Sequence, residues 1–229
     1  VLLMRYEALL KKKGLAKEGY KWQAVAHFQQ HWAPDAVDFA KMLKEALRKQ
    51  YNLFYKNAHS FIVGCAYEFP EETRNALKQL FDETKPIAER FHTFDNATAE
   101  ILSKLKVRLK RENLGTYQDE RTCSVYLLFR YPREYFIFKA SFYDPLCEYF
   151  DIAPAAIGQR IDHIRQIGEQ IRTVLTSEFP QIIRSVGDLL GKDDLKENGL
   201  NLIVQDACIR LLEWNEDGGV HHWLFQANP

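Results

Sequence analysis

The sequence PIAERFHTFDNATAEILSKLKVRL, residues 86–109, decides the fold class of this protein. Its large apolar side chains recur at intervals of three, four or seven residues: Ile87, Phe91, Phe94, Ile101, Leu105 and Leu109. Because an α-helix has 3.6 residues per turn, this spacing places them on one helix face. Pro86 suits a helix start, where its missing N–H is not needed. We therefore predict a long amphipathic helix that packs lengthwise on a partner helix.

The same periodicity recurs along most of the chain. Helical spacing is found within residues 39–47, 70–81, 117–131, 142–150, 157–189 and 200–212, with Pro180 interrupting the fifth of these segments. Asp35 is the expected N-cap of the helix predicted within residues 39–47. Two short runs, 135–139 and 220–226, are predicted to be strands. The predicted fold is mainly α, a multi-helix domain with one or two short strands.

Three regions are expected. Residues 1–152 would form a helical N-terminal module, and residues 153–217 would add long helices packed on it. Residues 218–229 would be a linker or the first strand of a following domain. The chain begins with valine and stops where a new domain would begin, so we expect a fragment of a longer protein.

Composition excludes several classes of protein. The 229 residues are 46% hydrophobic and 27% charged, enough for a real core. There is no run of about 18 apolar residues and no export leader, so we expect neither a membrane partner nor secretion. The four cysteines form no C-x-x-C pair, which indicates buried, reduced thiols and a cytoplasmic location.

Charge is balanced overall but not locally. Residues 1–60 carry 11 basic and 5 acidic side chains, whereas residues 151–229 carry 7 and 12. The N-terminal quarter could therefore meet an anionic partner, although mixed solvated faces can also produce such a difference by chance.

Common catalytic patterns are missing, including the P-loop, G-x-G-x-x-G, G-x-S-x-G and H-E-x-x-H. His27 and His31 share a predicted helix face that could hold a metal, but nothing nearby in the sequence supplies a third ligand. We assign them a packing or surface role. Asp82, Glu83 and Lys85 resemble a nuclease metal motif, yet they close a helix. We expect no enzyme activity, no cofactor and no metal.

Two segments could contact nucleic acid. Lys104, Arg108 and Arg111 share one helix face, as phosphate contacts require. Snorkelling beside an apolar stripe explains them equally well. Tyr117, Gln118, Arg121, Arg130 and Lys139 lie in a stretch where aromatic, basic and polar residues alternate, which could stack on bases or clamp a phosphate. An aromatic core with its arginines paired to carboxylates would give the same composition.

The same stretch resembles a known protein family. YQDxRTxSVYL (117–127), FRYP (129–132) and YFIFK (135–139) resemble a helical N-terminal region of McrB-type subunits of modification-dependent restriction systems. YKW (20–22), FQxxW (28–32), FPE (69–71) and LFDE (80–83) fit the same pattern. The last residues, HWLFQANP (222–229), are similar to the opening strand of EVE/YTH-like domains.

The resemblance implies a parent protein with a GTP-dependent AAA+ motor, a partner nuclease subunit and a role in antiviral defence. This chain would be its non-catalytic recognition or assembly module, contacting DNA through the two segments above. The alternative is a protein-interaction scaffold that docks a motor or partner subunit without touching DNA.

Overall fold

The computed structural model of the chain describes residues 1–16, 18–55, 57–191 and 199–213. These ranges contain eleven α-helices, one π-helical turn and no β-strand, so the mainly α prediction is confirmed. The helices are α1 (Leu2–Lys13), α2 (Tyr20–His31), α3 (Phe39–Ala46), α4 (Ala58–Glu68), α5 (Pro70–Leu80), α6 (Ile87–Leu109), α7 (Glu120–Arg130), α8 (Ala140–Tyr149), α9 (Arg160–Glu178), α10 (Pro180–Leu190) and α11 (Leu200–Cys208), and α11 continues into the π-helical turn Ile209–Glu213.

Helix starts follow the local chemistry of the sequence, with one correction. Helix α6 begins directly after Pro86, and Pro180 separates α9 from α10, as predicted. The N-cap of α3 is Asp38, whose carboxylate accepts from the Lys41 N–H at 3.0 Å, and not Asp35. Asp35 lies further upstream and instead pairs with Lys78 at 2.7 Å.

Helices α7 and α11 form the centre of the molecule. Nine of the 11 residues of α7 and eight of the 9 residues of α11 are buried. Helices α2 and α9 pack against α7, while α1, α9 and α10 pack against α11. Both helices bury polar as well as apolar residues, among them Glu120 in α7 and Gln205 and Asp206 in α11, so each of these polar groups needs an internal partner.

The stretch 135–139 is extended but forms no strand, which corrects the prediction there. Side chains of α7 and α11 make the hydrogen bonds that a partner strand would otherwise make. The Gln205 amide of α11 accepts from the Ile137 N–H at 2.6 Å and donates to the Ile137 carbonyl at 3.0 Å. Ser124 Oγ of α7 accepts from the following N–H at 2.8 Å. These bonds satisfy backbone groups that would otherwise be buried without partners. The other predicted strand, 220–226, lies outside the described residues.

Buried charges join α1 and α2 to α11. Lys21 Nζ lies 2.9 Å from Asp206 Oδ1 and 2.8 Å from Glu18 Oε2, and the Tyr6 hydroxyl donates to Asp206 Oδ2 at 2.7 Å. Arg210 of the π-helical turn lies 3.6 Å from the same carboxylate. Burial alone would lower the pKa of Lys21, but the two carboxylates outweigh it and the net shift is upward. Lys21 is therefore an internal structural cation.

One main apolar core runs from Leu2 in α1 to Ile209 beyond α11, so residues on both sides of position 152 contribute to it. All four cysteines are buried and none forms a disulfide, as expected. None of the helices described above is long and apolar enough to cross a membrane. The predicted third region, 218–229, falls outside the described residues.

Candidate functional site

A polar cleft opens between the α5–α6 turn and the first half of α9. Its volume is about 580 Å³, and small-molecule sites usually occupy about 300–1,000 Å³. The charged side chains that line it are Lys85, Arg90, Arg165, Glu83 and Asp162, and the uncharged polar ones are Tyr135, Gln159, His163 and Gln166. This mixture suits a ligand that carries an anionic group together with hydrogen-bonding groups.

Arg90 lines this cleft from the buried face of α6. Only 4% of the residue is exposed. Its guanidinium donates to the Leu80 carbonyl at 3.1 Å and to the Tyr135 hydroxyl, while Nε has no hydrogen-bond partner among the described residues. The Tyr135 hydroxyl in turn donates to Glu83 Oε1 at 3.3 Å. Burial raises the pKa of Tyr135, so this hydroxyl keeps its proton.

The direct partners of Arg90 are therefore a carbonyl and a hydroxyl, both neutral. Burying a charge is costly unless an opposite charge or several hydrogen bonds compensate for it. Glu83 is linked to Arg90 through the Tyr135 hydroxyl, and the charge of Arg90 also helps to lower the pKa of Asp82. An anion in the cleft would supply the missing charge, and the guanidinium is already held in place to receive it.

Helix α9 forms the opposite wall. Asp162 accepts from Arg165 at 2.8 Å and from Gln166 at 2.9 Å, which fixes three polar side chains along one face. His163 Nδ1 lies 2.6 Å from the Tyr143 hydroxyl. Burial raises the pKa of Tyr143 to about 12, so its hydroxyl keeps its proton and can donate it to Nδ1. A neutral His163 then carries its proton on Nε2, where it can act as a donor.

The basic residues predicted on α6 lie away from this cleft. Lys104 pairs with Glu72 at 3.5 Å, Arg108 pairs with Glu68, and both cations lie within 6 Å of the Phe69 ring centre. Arg111 follows the helix end and is exposed. The basic cluster therefore packs its long side chains on α4 and α5, with part of its charge already compensated.

Gln118 must be removed from the predicted contact residues. Only 1% of it is exposed. Its amide donates to the carbonyls of Ala58 at 3.0 Å and Thr116 at 2.9 Å, and its carbonyl accepts from the Tyr126 hydroxyl at 2.9 Å. Both N–H groups are used internally, so the side chain braces the loop before α7.

The other predicted contact residues are spread over the surface. Tyr117 is 37% exposed, and the Arg121 guanidinium lies 5.0 Å from the Tyr55 ring centre at the start of α7. Arg130 lies over Tyr131 at the opposite end of that helix, about 14 Å away at 1.5 Å per residue. Lys139 is half-buried at the N-cap of α8. The predicted residues thus do not form one continuous patch.

The acidic string resembling a nuclease motif is divided between two environments. Asp82 accepts from the N–H and the hydroxyl of Thr84 at 3.2 and 2.6 Å, and these bonds lower its pKa. Glu83 and Lys85 line the cleft. Asp82 therefore caps a turn, whereas Glu83 accepts from Tyr135 and Lys85 pairs with Glu89 at 3.3 Å at the edge of the cleft.

Sequence reasoning missed the α6 and α9 residues of the cleft, although α6 carried a signal. Arg90 follows Ile87 by three residues and precedes Phe94 by four, so it occupies a position in the buried apolar stripe. A charged residue at such a position indicates a specific internal partner or a ligand. The α9 residues carried no comparable signal, because alternating charges there are typical of any solvated helix face.

Comparison with known proteins finds no matching family model, no matching curated protein and no matching solved structure. The function must therefore be argued from the cleft and from the placement of the predicted residues.

Proposed function

We propose that this chain is a non-catalytic recognition module that contacts DNA, with an anionic group of the nucleic acid bound beside Arg90 in the cleft. The resemblance to McrB-type N-terminal regions supports the wider role, a component of a modification-dependent restriction system in which motor and nuclease lie elsewhere. The observation that carries the proposal is the buried Arg90 guanidinium, whose direct partners are neutral.

The chemistry of the cleft favours a phosphate. The phosphate oxygens can accept hydrogen bonds from Arg90 and from the His163 Nε2–H, while Lys85 and Arg165 add long-range attraction at the rim of the cleft. Glu83 and Asp162 disfavour a featureless polyanion, since each would repel unselective phosphate binding. A ligand that also donates hydrogen bonds, as a nucleobase does, can use these carboxylates as acceptors.

The experiment measures binding of methylated and unmodified DNA duplexes by fluorescence anisotropy at two salt concentrations. We expect affinity to fall with salt with a slope of about −0.9 per neutralised phosphate. Arg165→Gln and Lys85→Gln should each weaken binding and make the slope less negative by about one. Both side chains are partly exposed, so these variants should fold.

Lys104→Gln is the matched control, since it removes one equally exposed cation on another face. It should leave affinity almost unchanged. If Lys104→Gln weakens binding and the cleft variants do not, the α6 cluster is the interface and the cleft is not. Failure of all proteins to bind duplex at about 50 mM salt would remove the DNA proposal.

A second candidate function is that of a protein-interaction scaffold, and one observation favours it. Phe150, Ile152 and Ile157 are 39%, 36% and 79% exposed in the segment that joins α8 to α9. Exposed apolar side chains within one short segment can mark a protein contact. Light scattering decides this case: a mass well above 26.8 kDa that returns to the monomer value in Ile157→Asp supports the scaffold.

A further inference from the structure

Helices α2 and α3 bring together three side chains that commonly ligate metals. His27 and His31 lie one turn apart on α2, and Glu45 lies in the last turn of α3. The two imidazole centres are 4.0 Å apart. One ligand atom from each of the three residues can be chosen so that all lie within 4.8 Å of one another. In the part of the chain that the structure describes, this is the one group of three such residues.

We propose that His27, His31 and Glu45 bind a divalent transition-metal ion of the zinc class. Two ligands about 2.0–2.1 Å from a tetrahedral zinc ion lie about 3.4 Å from each other. Glu45 Oε1 lies 3.5 Å from His27 Nε2 and 3.8 Å from His31 Nε2. These two distances are close to that value, and all three ligand atoms lie within 4.8 Å of one another, so α2 and α3 bring the groups near to the required arrangement.

The hydrogen bonds around His31 support this arrangement. Its Nδ1 lies 2.8 Å from the His27 carbonyl, which can only accept, so Nδ1 carries the proton. A neutral His31 therefore presents the lone pair of Nε2 toward Glu45. Metal-ligating histidines usually have such a bond from the other ring nitrogen to a carbonyl or carboxylate.

His27 needs one rearrangement. Its Nε2 lies 2.8 Å from the Glu45 backbone carbonyl and donates to it. To ligate through Nε2, His27 must give up this bond and carry its proton on Nδ1, with no change in net charge.

Arg48 opposes the ion and provides a sharp test. Its Nε lies 2.9 and 3.0 Å from the two carboxylate oxygens of Glu45. The guanidinium both occupies the carboxylate and repels a cation. Since its side chain is 61% exposed, it can move away when a metal binds, but at a cost in affinity. Removing Arg48 should therefore strengthen metal binding.

Such a site would clamp α2 to α3 and leave coordination positions open. The side chains of His31 and Glu45 are 30% and 40% exposed, so water can reach the ion. The sequence could not reveal this site because its third ligand is 14 residues beyond His31 and on another helix. This inference is independent of the DNA proposal, since none of its residues lines the cleft.

Titration calorimetry with Zn²⁺ and absorption spectroscopy with Co²⁺ test the proposal. All proteins carry His221→Gln and His222→Gln, which removes binding by that adjacent pair. We expect one ion per chain, tetrahedral Co²⁺ bands and a higher Tm with Zn²⁺. His31→Gln and Glu45→Gln should each lower affinity about tenfold or more.

Two further variants complete the test. Arg48→Ala should raise Zn²⁺ affinity several-fold, whereas His92→Gln, an exposed helical histidine, should have no effect. Circular dichroism of each metal-free variant confirms folding. The proposal is overturned by no Zn²⁺ binding at about 100 µM, or by binding that His31→Gln and Glu45→Gln leave unchanged.

Discussion

Replacing Gly168 by alanine tests whether the extended segment 135–139, which contains Phe136, is rigidly held in the core. A Cβ added at Gly168 of α9 would lie 2.5 Å from two ring atoms of Phe136 and 2.7 Å from a third. Ordinary contacts begin at 3.4 Å, so the ring would have to move by about 1 Å. Phe136 is 3% exposed, and the void that Phe136 and Gly168 both line has a volume of about 10 Å³, too small to accept the ring.

Two opposing effects determine how much Gly168→Ala changes the free energy of unfolding. Overpacking a filled core costs about 1–3 kcal/mol, and more when the backbone cannot shift. Alanine in place of glycine within a helix contributes about 1 kcal/mol in the other direction. Because hydrogen bonds from Gln205 and Ser124 hold the segment that carries Phe136, we expect overpacking to win. Gly168→Ala should lower the free energy of unfolding by up to about 2 kcal/mol.

Gly64→Ala provides the matched control. Gly64 also lies inside a helix, α4, but a Cβ there meets no atom within 4 Å. It should raise the free energy of unfolding by about 0.5–1 kcal/mol. Urea unfolding followed by circular dichroism measures both variants. If Gly168→Ala also stabilises the protein, the segment is mobile and the reasoning fails. In a Phe136→Leu background, Gly168→Ala should be less harmful.

Three other predictions concern the buried polar groups. Gln205→Leu leaves two buried backbone groups without partners and should lower the free energy of unfolding by about 2–4 kcal/mol in urea titrations, whereas the exposed Gln170→Leu should change it little. Burial raises the pKa of Cys65 and of Cys208 from 9.0 to about 12. The free energy of unfolding should therefore be highest below pH 9 and fall as the pH rises toward 12, with a smaller fall in Cys208→Ala. A urea midpoint that is constant over this range contradicts the burial of the thiols. Asp206→Asn removes the carboxylate shared by buried cations and should cost about 3–5 kcal/mol, measured as a lower Tm; an unchanged Tm would show that these charges are solvated.

The two proposed sites illustrate different limits of sequence reasoning. The spacing of His27 and His31 indicates a possible metal pair, but the third ligand, Glu45, lies on α3 and not near the pair in the sequence. The cleft gathers residues from the turn before α6, from the extended segment and from α9. Glu83 and Tyr135 are 52 residues apart, yet one hydrogen bond joins them. No local pattern encodes such a contact.

The predicted DNA-contact residues do not form one continuous patch, for a related reason. Gln118 lies among polar and basic residues, which made it resemble a surface residue, but its amide is used to satisfy backbone carbonyls. Composition records which groups are present, whereas burial depends on which helix covers them. Arg121 and Arg130 share α7 but lie at its two ends, so one ligand group cannot contact both.

The amino-acid sequence alone determined the helical class, the long helix α6 and the breaks at Pro86 and Pro180, because periodicity and proline geometry act within a few residues. Tertiary structure alone decided that 135–139 is extended without being a strand, since its hydrogen-bond partners come from α7 and α11. Tertiary structure also decided which charges are buried, which side chains line the cleft and which side chain lies beside His27 and His31. Those outcomes depend on contacts between residues distant in the chain, where packing of whole helices overrides local preference.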